Sequence, residues 1–283
     1  MKIIECPRDA MQGIHEFIPT EKKITYLNSL LRVGFDTIDF GSFVSPKAIP
    51  QLKDTAEVLK KLDLSNTKSK LLVIIANTRG AEDAVRFDEI SYLGFPFSIS
   101  ETFQQRNTNS SVSESLKRVE EIQNLCVKNK KELVVYISMA FGNPYGDEWN
   151  SDIVIYWTKK ISELGIKIIA LADTVGVSNP ESINYLFSRI VPEFPDVEIA
   201  AHLHTTPDTW EEKITAAYNN GCKRFDAAIK GFGGCPMAKD ELVGNMPTEN
   251  LITYFEKKNI DLGIDKTEFK NAMNLAVATF PKF

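Results

Sequence analysis

Eight short apolar, β-branched runs recur along the chain, and the segments between them carry helical periodicity. This alternation constrains the fold more than any other feature. The runs are KIIEC (2–6), FDTIDF (35–40), LLVII (71–75), FPFSIS (95–100), LVVYISMA (133–140), KIIALAD (167–173), VEIAAHLH (197–204) and RFDAAI (224–229). Between them lie amphipathic stretches such as 19–34, 111–129 and 178–191, the last with Ser178 or Asn179 as N-cap and Pro180 suited to the first turn. Near-continuous apolar strands separated by helices describe a parallel sheet covered by helices. Eight such units within 283 residues predict a TIM (β/α)8 barrel spanning 1–283 as one domain, with a doubly wound open sheet as the alternative. Residues 247–258 and 266–277 are expected to form extra C-terminal helices.

Composition narrows the setting. The net charge is −5 with both signs mixed along the chain, which argues against nucleic acid or an anionic membrane as the main partner. No run approaches ~18 apolar residues, so no membrane span is expected, and MKIIECPRDA lacks the apolar core of a secretory leader. The four cysteines, Cys6, Cys126, Cys222 and Cys235, show neither CxxC nor a disulfide spacing. Reduced thiols and a cytoplasmic protein are the expectation, with Cys6, Cys126 and Cys222 packed as small hydrophobes.

The polar residues gather where strands end, which is where a barrel of this kind carries its chemistry. Arg8, Asp9 and Gln12 follow the first run; Asp39, Gly41 and Ser42 close the second; Asp173 closes the sixth. His202 and His204 close the seventh, and the eighth leads into GFGGCPMAK (231–239), with Asn245 beyond it. Runs six, seven, eight, one and two become neighbours once a barrel closes, so these residues share one mouth. Residues i and i+2 of a strand share a face, so two of the chain's three histidines converge. They are either a hydrogen-bonded pair or metal ligands. With Asp9 supplying a carboxylate and Asn245 an amide oxygen, the set suits Mg²⁺ or Mn²⁺. Arg8 and Asp9 are either a simple ion pair or a guanidinium held ready for a developing oxyanion. Asp173 and Asp39 either cap turns or serve as proton carriers or orienters. His15 reads as an ordinary surface histidine. The glycine loop matches neither GK[ST] nor GxGxxG, which leaves a phosphate cradle only weakly supported.

Taken together, PRDAMQ (7–12), SFVSPKAIPQ (42–51), ADTVGV (172–177), HLH (202–204), GFGGCPMA (231–238) and GNMPTENL (244–251) resemble the 3-hydroxy-3-methylglutaryl-CoA lyase family, within a wider group of metal-dependent barrel lyases and Claisen-type synthases. The resemblance covers nearly the whole chain. It implies a divalent metal held by Asp9, His202, His204 and Asn245, with Arg8 on the thioester carbonyl oxygen. It implies that Cys235 sits on a loop closing over the substrate, and that Asp39 and Asp173 support catalysis. The implied reaction is retro-Claisen cleavage of 3-hydroxy-3-methylglutaryl-CoA to acetoacetate and acetyl-CoA, as in leucine degradation and ketone-body formation. A Claisen-type synthase or aldolase on the same barrel is the alternative. Asp173 or Cys235 is the expected base, and His202 a further proton carrier. Lys47, Asn107 and Asn109 are candidate contacts for substrate or CoA. The expected partners are an acyl-CoA and a second copy of the chain in a dimer. The chain departs from the family pattern at Ala10, at Gly13-Ile14, at Asp39, which stands for a glutamate, and at Thr205, which stands for an aspartate.

Overall fold

Eight parallel strands close on themselves in the computed structural model, which describes residues 1–234 and 243–280. They are β1 (Lys2–Glu5), β2 (Thr37–Ser42), β3 (Lys70–Ile74), β4 (Ile90–Ser98), β5 (Glu132–Ser138), β6 (Ile168–Ala172), β7 (Glu198–His202) and, after a two-residue strand β8 (His204–Thr205), β9 (Arg224–Ala227). β1 pairs with both β2 and β9, so the ring is complete and the open-sheet alternative falls. The chain forms a (β/α)8 barrel. A second, antiparallel pair joins β8 to β10 (Gly244–Asn245), with Asn245 opposite His204.

Each strand buries both faces, which is why its sequence reads as an apolar run. Inward side chains including Leu72, Ile74, Tyr92, Val134, Tyr136, Ile168, Ala170 and Ala200 fill the barrel. Large and small residues meet there: a Cβ added to Gly94 would lie 2.6 Å from Ile74 Cδ1 and 3.1 Å from Tyr136 Cε2, so any larger residue would have to displace these side chains. Outward residues pack beneath the helices in a larger core.

Helix boundaries follow their caps. Ser111 and Glu114 form a capping box on helix Val112–Lys128. Asn179, rather than Ser178, caps helix Pro180–Glu193, worth about 1 kcal/mol for such a cap. The two expected closing helices are Thr248–Lys257 and Lys266–Thr279. The second packs on helix Thr20–Val33, where Arg32 Nε is 2.9 Å from Glu268 Oε2 and the Tyr26 and Phe280 rings meet edge to face at 5.4 Å.

Strand bounds depart from the expected runs, β2 ending at Ser42 and β5 at Ser138, and two departures have a clear physical reason. β4 begins at Ile90 instead of Phe95, because Tyr92, Leu93 and Gly94 already pair with Leu72, Val73 and Ile74. β7 ends at His202, and the chain leaves the barrel before His204.

Candidate active site

Pro7 opens a single short helix, Pro7–Gln12, directly after β1, its missing N–H costing nothing at that position. Arg8, Asp9 and Gln12 lie on one side of it, at i, i+1 and i+4, and interlock. Arg8 Nη1 donates to Asp9 Oδ1 at 2.8 Å and to Gln12 Oε1 at 2.9 Å. Arg8 Nε and Nη2 both donate to Asp39 Oδ2, at 2.9 and 2.6 Å. Although one methylene shorter than the family's glutamate, Asp39 therefore reaches the guanidinium. The burial of Arg8 works against its charge, but Asp39 and Asp9 outweigh it and push the guanidinium's pKa up. Burial raises the Asp39 carboxyl to about 6 against the pull of Arg8, and its Oδ1 is buried without a hydrogen-bond partner among the described residues.

Asp9, His202 and His204 each offer a ligand atom, and these atoms lie within 4.8 Å of one another. The two imidazoles face each other with centroids 5.5 Å apart. They converge, but not as i and i+2 on one barrel strand: β8 has turned away to pair with β10. Both ring nitrogens of His204 are buried and without a partner among the described residues, although a buried polar atom is normally satisfied. Burial, then His202, lowers the His204 pKa to about 4, so its ring is neutral and able to ligate. Burial pushes His202 down, but the hydrogen bond and charge of Asp226, with Asp9, raise it overall. Burial opposes ionisation of Asp9, yet Arg8, the two histidines and Asn245 bring its carboxyl down to about 2. A neutral imidazole with two orphaned nitrogens beside an ionised carboxylate fits a divalent cation. Asn245 joins them through its amide nitrogen, which donates to Asp9 Oδ2 at 2.8 Å and to the Phe232 carbonyl at 2.9 Å.

These groups line a cavity of about 380 Å³, whose wall includes Arg8, Asp9, Gln12, His202 and His204 together with Val44, Ile49, Phe103, Asn107 and Tyr136. Asn107 is thus at the wall. Lys47 and Asn109 are exposed, Asn109 ending helix Glu101–Thr108 with its side chain bonded to Gln105 at 2.9 Å. Asp173 is wholly buried behind the wall formed by Ala172 and Thr174; its oxygens accept from Ser178 N at 2.9 Å, Ser178 Oγ at 2.5 Å and Lys213 Nζ at 3.1 Å. Cys235 lies outside the described residues. The glycines before it are close-packed: a Cβ on Gly233, where φ is +83°, would stand 2.7 Å from the Asp9 carbonyl oxygen and 2.8 Å from Ala10 Cα. His15 is exposed, and Cys6, Cys126 and Cys222 are buried free thiols, as expected.

Asp226 and Lys213 escaped the sequence reading, and Gln12 was placed at the mouth without a role. Asp226 Oδ2 is 3.0 Å from His202 Nδ1. Lys213 joins Asp173 to the His204 carbonyl. Gln12 Nε2 supports Asp9 Oδ1 at 3.2 Å, a pairing that the i, i+3 helical spacing could have signalled.

The HMGL-like family model matches residues 2–276. The hydroxymethylglutaryl-CoA lyase YngG of Bacillus subtilis is 34% identical over 258 residues, covering 91% of this chain and 85% of that protein. A crystal structure of the Bacillus subtilis HMG-CoA lyase superposes with a TM-score of 0.91 at 33% identity, over 97% of this chain and 92% of the other. An HMG-CoA lyase from Acinetobacter baumannii, in complex with coenzyme A and 3-methylmalate, superposes with a TM-score of 0.89 at 31% identity, over 99% and 90%. With its closed barrel, its Arg-Asp pair and its two facing histidines, this chain belongs to the HMGL-like family.

Proposed function

We propose that this chain is a carbon–carbon lyase that cleaves 3-hydroxy-3-methylglutaryl-CoA to acetoacetate and acetyl-CoA. The observation that carries this reading is one cavity in which a guanidinium, a carboxylate and two imidazoles converge, in a chain whose relatives bear that activity in their names. The coenzyme A complex of the Acinetobacter relative supports an acyl-CoA substrate. At about 380 Å³ the cavity suits the acyl group, with the nucleotide end of CoA outside it. Asn107 at the wall, and Lys47 and Asn109 near it, are proposed polar contacts for the carrier.

Asp9, His202 and His204 would hold the divalent cation, Mg²⁺ or Mn²⁺, with Asn245 completing the set. Such an ion would supply Lewis acidity, making the substrate's hydroxyl more acidic. Arg8, braced by Asp39 and Gln12, aims its guanidinium at the thioester carbonyl oxygen. As the hydroxyl loses its proton, its oxygen becomes the ketone of acetoacetate and the C–C bond breaks. The bonding pair passes to the acetyl-CoA enolate, whose oxygen Arg8 neutralises, and reprotonation at carbon gives acetyl-CoA. Of the proton carriers named above, His202 lines the cavity. Asp173 has its oxygens engaged behind the wall, which favours an orienting role. Cys235 is the proposed thiol over the substrate.

The cytoplasm is the proposed compartment, in keeping with three free, buried thiols; no helix among the described residues is long and apolar enough to cross a membrane. A homodimer is the proposed assembly, and residues 1–283 the proposed functional unit. Mass spectrometry of products from 3-hydroxy-3-methylglutaryl-CoA tests the reading: acetoacetate and acetyl-CoA are expected with Mg²⁺ and not with EDTA. Unchanged substrate with both Mg²⁺ and Mn²⁺ would overturn it.

A further inference from the structure

Helix Trp210–Asn219 carries Lys213 back beneath the ends of β6 and β7. Lysine is almost never fully buried unless paired, yet Lys213 is 3% exposed. Its Nζ lies 3.1 Å from Asp173 Oδ2 and 2.8 Å from the backbone oxygen of His204. A buried ion pair is a poor device for stability alone, since apolar side chains of similar shape often serve as well. What it joins is more informative. β7 pairs with β6 and β9 only as far as His202. Beyond that point the barrel ladder has ended, and the His204 carbonyl accepts from the ammonium of Lys213. Asp173, at the other end of the pair, donates its own N–H to the His202 carbonyl at 2.9 Å. Ser178 also fixes the Asp173 carboxylate, its N donating to Oδ1 and its Oγ to Oδ2, the oxygen that Lys213 holds. One ammonium therefore fastens the peptide of His204 to the residue that holds the peptide of His202.

We propose that Lys213 is a positioning residue for the cation site, setting the backbone of both histidines through Asp173 and the His204 carbonyl. This rests on reading Asp9, His202 and His204 as the metal ligands. It assigns a role to a lysine that, from sequence, is one more cation on an amphipathic helix.

The test is binding of Mn²⁺ alone to the full chain, followed by calorimetry, with thermal melts of each variant. Lys213→Met leaves Asp173 buried without its cation and is expected to lower stability. Lys213→Met with Asp173→Asn removes both charges and is expected to melt closer to wild type. Mn²⁺ affinity should nevertheless fall about 10- to 100-fold in both, the range seen when the support of a metal ligand is removed. Lys213→Arg keeps the charge but displaces the donors, and should fold with a several-fold weaker affinity. Wild-type affinity in every folded variant would overturn the proposal. A His204→Ala control separates the two readings: if wild type binds Mn²⁺ no better than that control, the ligand assignment fails and the role of Lys213 falls with it.

Discussion

His202 Nδ1 and Asp226 Oδ2 stand 3.0 Å apart inside the barrel, on adjacent strands. Nδ1 is thereby committed to the carboxylate, which leaves Nε2 to face the cavity. Asp226→Asn should therefore leave the barrel folded but let the ring turn and change tautomer. Mn²⁺ affinity and kcat/KM are both expected to drop by about 10-fold or more. A folded variant with unchanged binding and turnover would mean that the carboxylate does not orient the ring.

Arg8 serves two masters, which separates its contributions to activity and stability. Arg8→Gln should lower kcat by roughly 10²-fold or more, with little change in KM, as an oxyanion partner acts mainly in the transition state. It should also destabilise the protein, because Asp39 loses its cation and its buried carboxyl, already raised by burial, must take up a proton. Combining Arg8→Gln with Asp39→Asn should restore most of the melting temperature and none of the rate. Recovery of rate in the double variant would remove Arg8 from the chemistry.

Glu5 provides a pH signature away from the cavity. Its carboxyl is fully buried, accepts from Ile229 N at 2.9 Å and contacts Thr248 Oγ1 at 2.6 Å, and burial raises its pKa from 4.5 to about 8. Between those values the native state holds a proton that the unfolded chain has released. Stability therefore falls as pH rises from about 4.5 to about 8. Glu5→Gln keeps the shape and removes the titration. Melting temperature against pH should be flatter for the variant across that window, its advantage growing toward pH 8. Parallel curves would contradict the assignment.

Cys235→Ser keeps volume and removes an acidic thiol. Folding and Mn²⁺ binding should survive, while turnover falls by roughly 10²-fold or more, the scale of a positioned acid or base. Alkylation should inactivate the enzyme, and bound substrate should slow it, once the other three cysteines have been replaced. Near-normal kcat in Cys235→Ser would leave the thiol without a catalytic part.

The barrel and most of its mouth were legible because each signal was local. A strand buried on both faces must be apolar, so a polar residue at its end, such as Asp39 or His202, stands out. Arg8, Asp9 and Gln12 share one short helix and could be read together. Asp226 was hidden inside RFDAAI, where its pairing with a histidine 24 residues earlier leaves no trace in the local pattern. Lys213 gave no signal, because helical amphipathicity does not reveal which polar residue a strand end will cover. Gly94 reads as a breaker and concealed the first half of β4; only packing beneath Ile74 and Tyr136 shows why the strand runs through it. The exit of the chain from the barrel before His204 depends on pairing with Asn245, 41 positions on, so the two histidines meet by a route that the i, i+2 rule did not describe.

Asn245 grips Asp9 across a separation of 236 residues, and β8 is held by β10. A growing polypeptide presents Asp9 first and both histidines much later, but the amide that steadies Asp9 emerges last. High cation affinity is therefore expected to be withheld until residue 245 has left the ribosome, which protects the half-made chain from capturing metal in the wrong geometry. On the proposed ligand set an ion would bind only the closed ring, so that loading it would add stability to the finished protein and to no shorter intermediate.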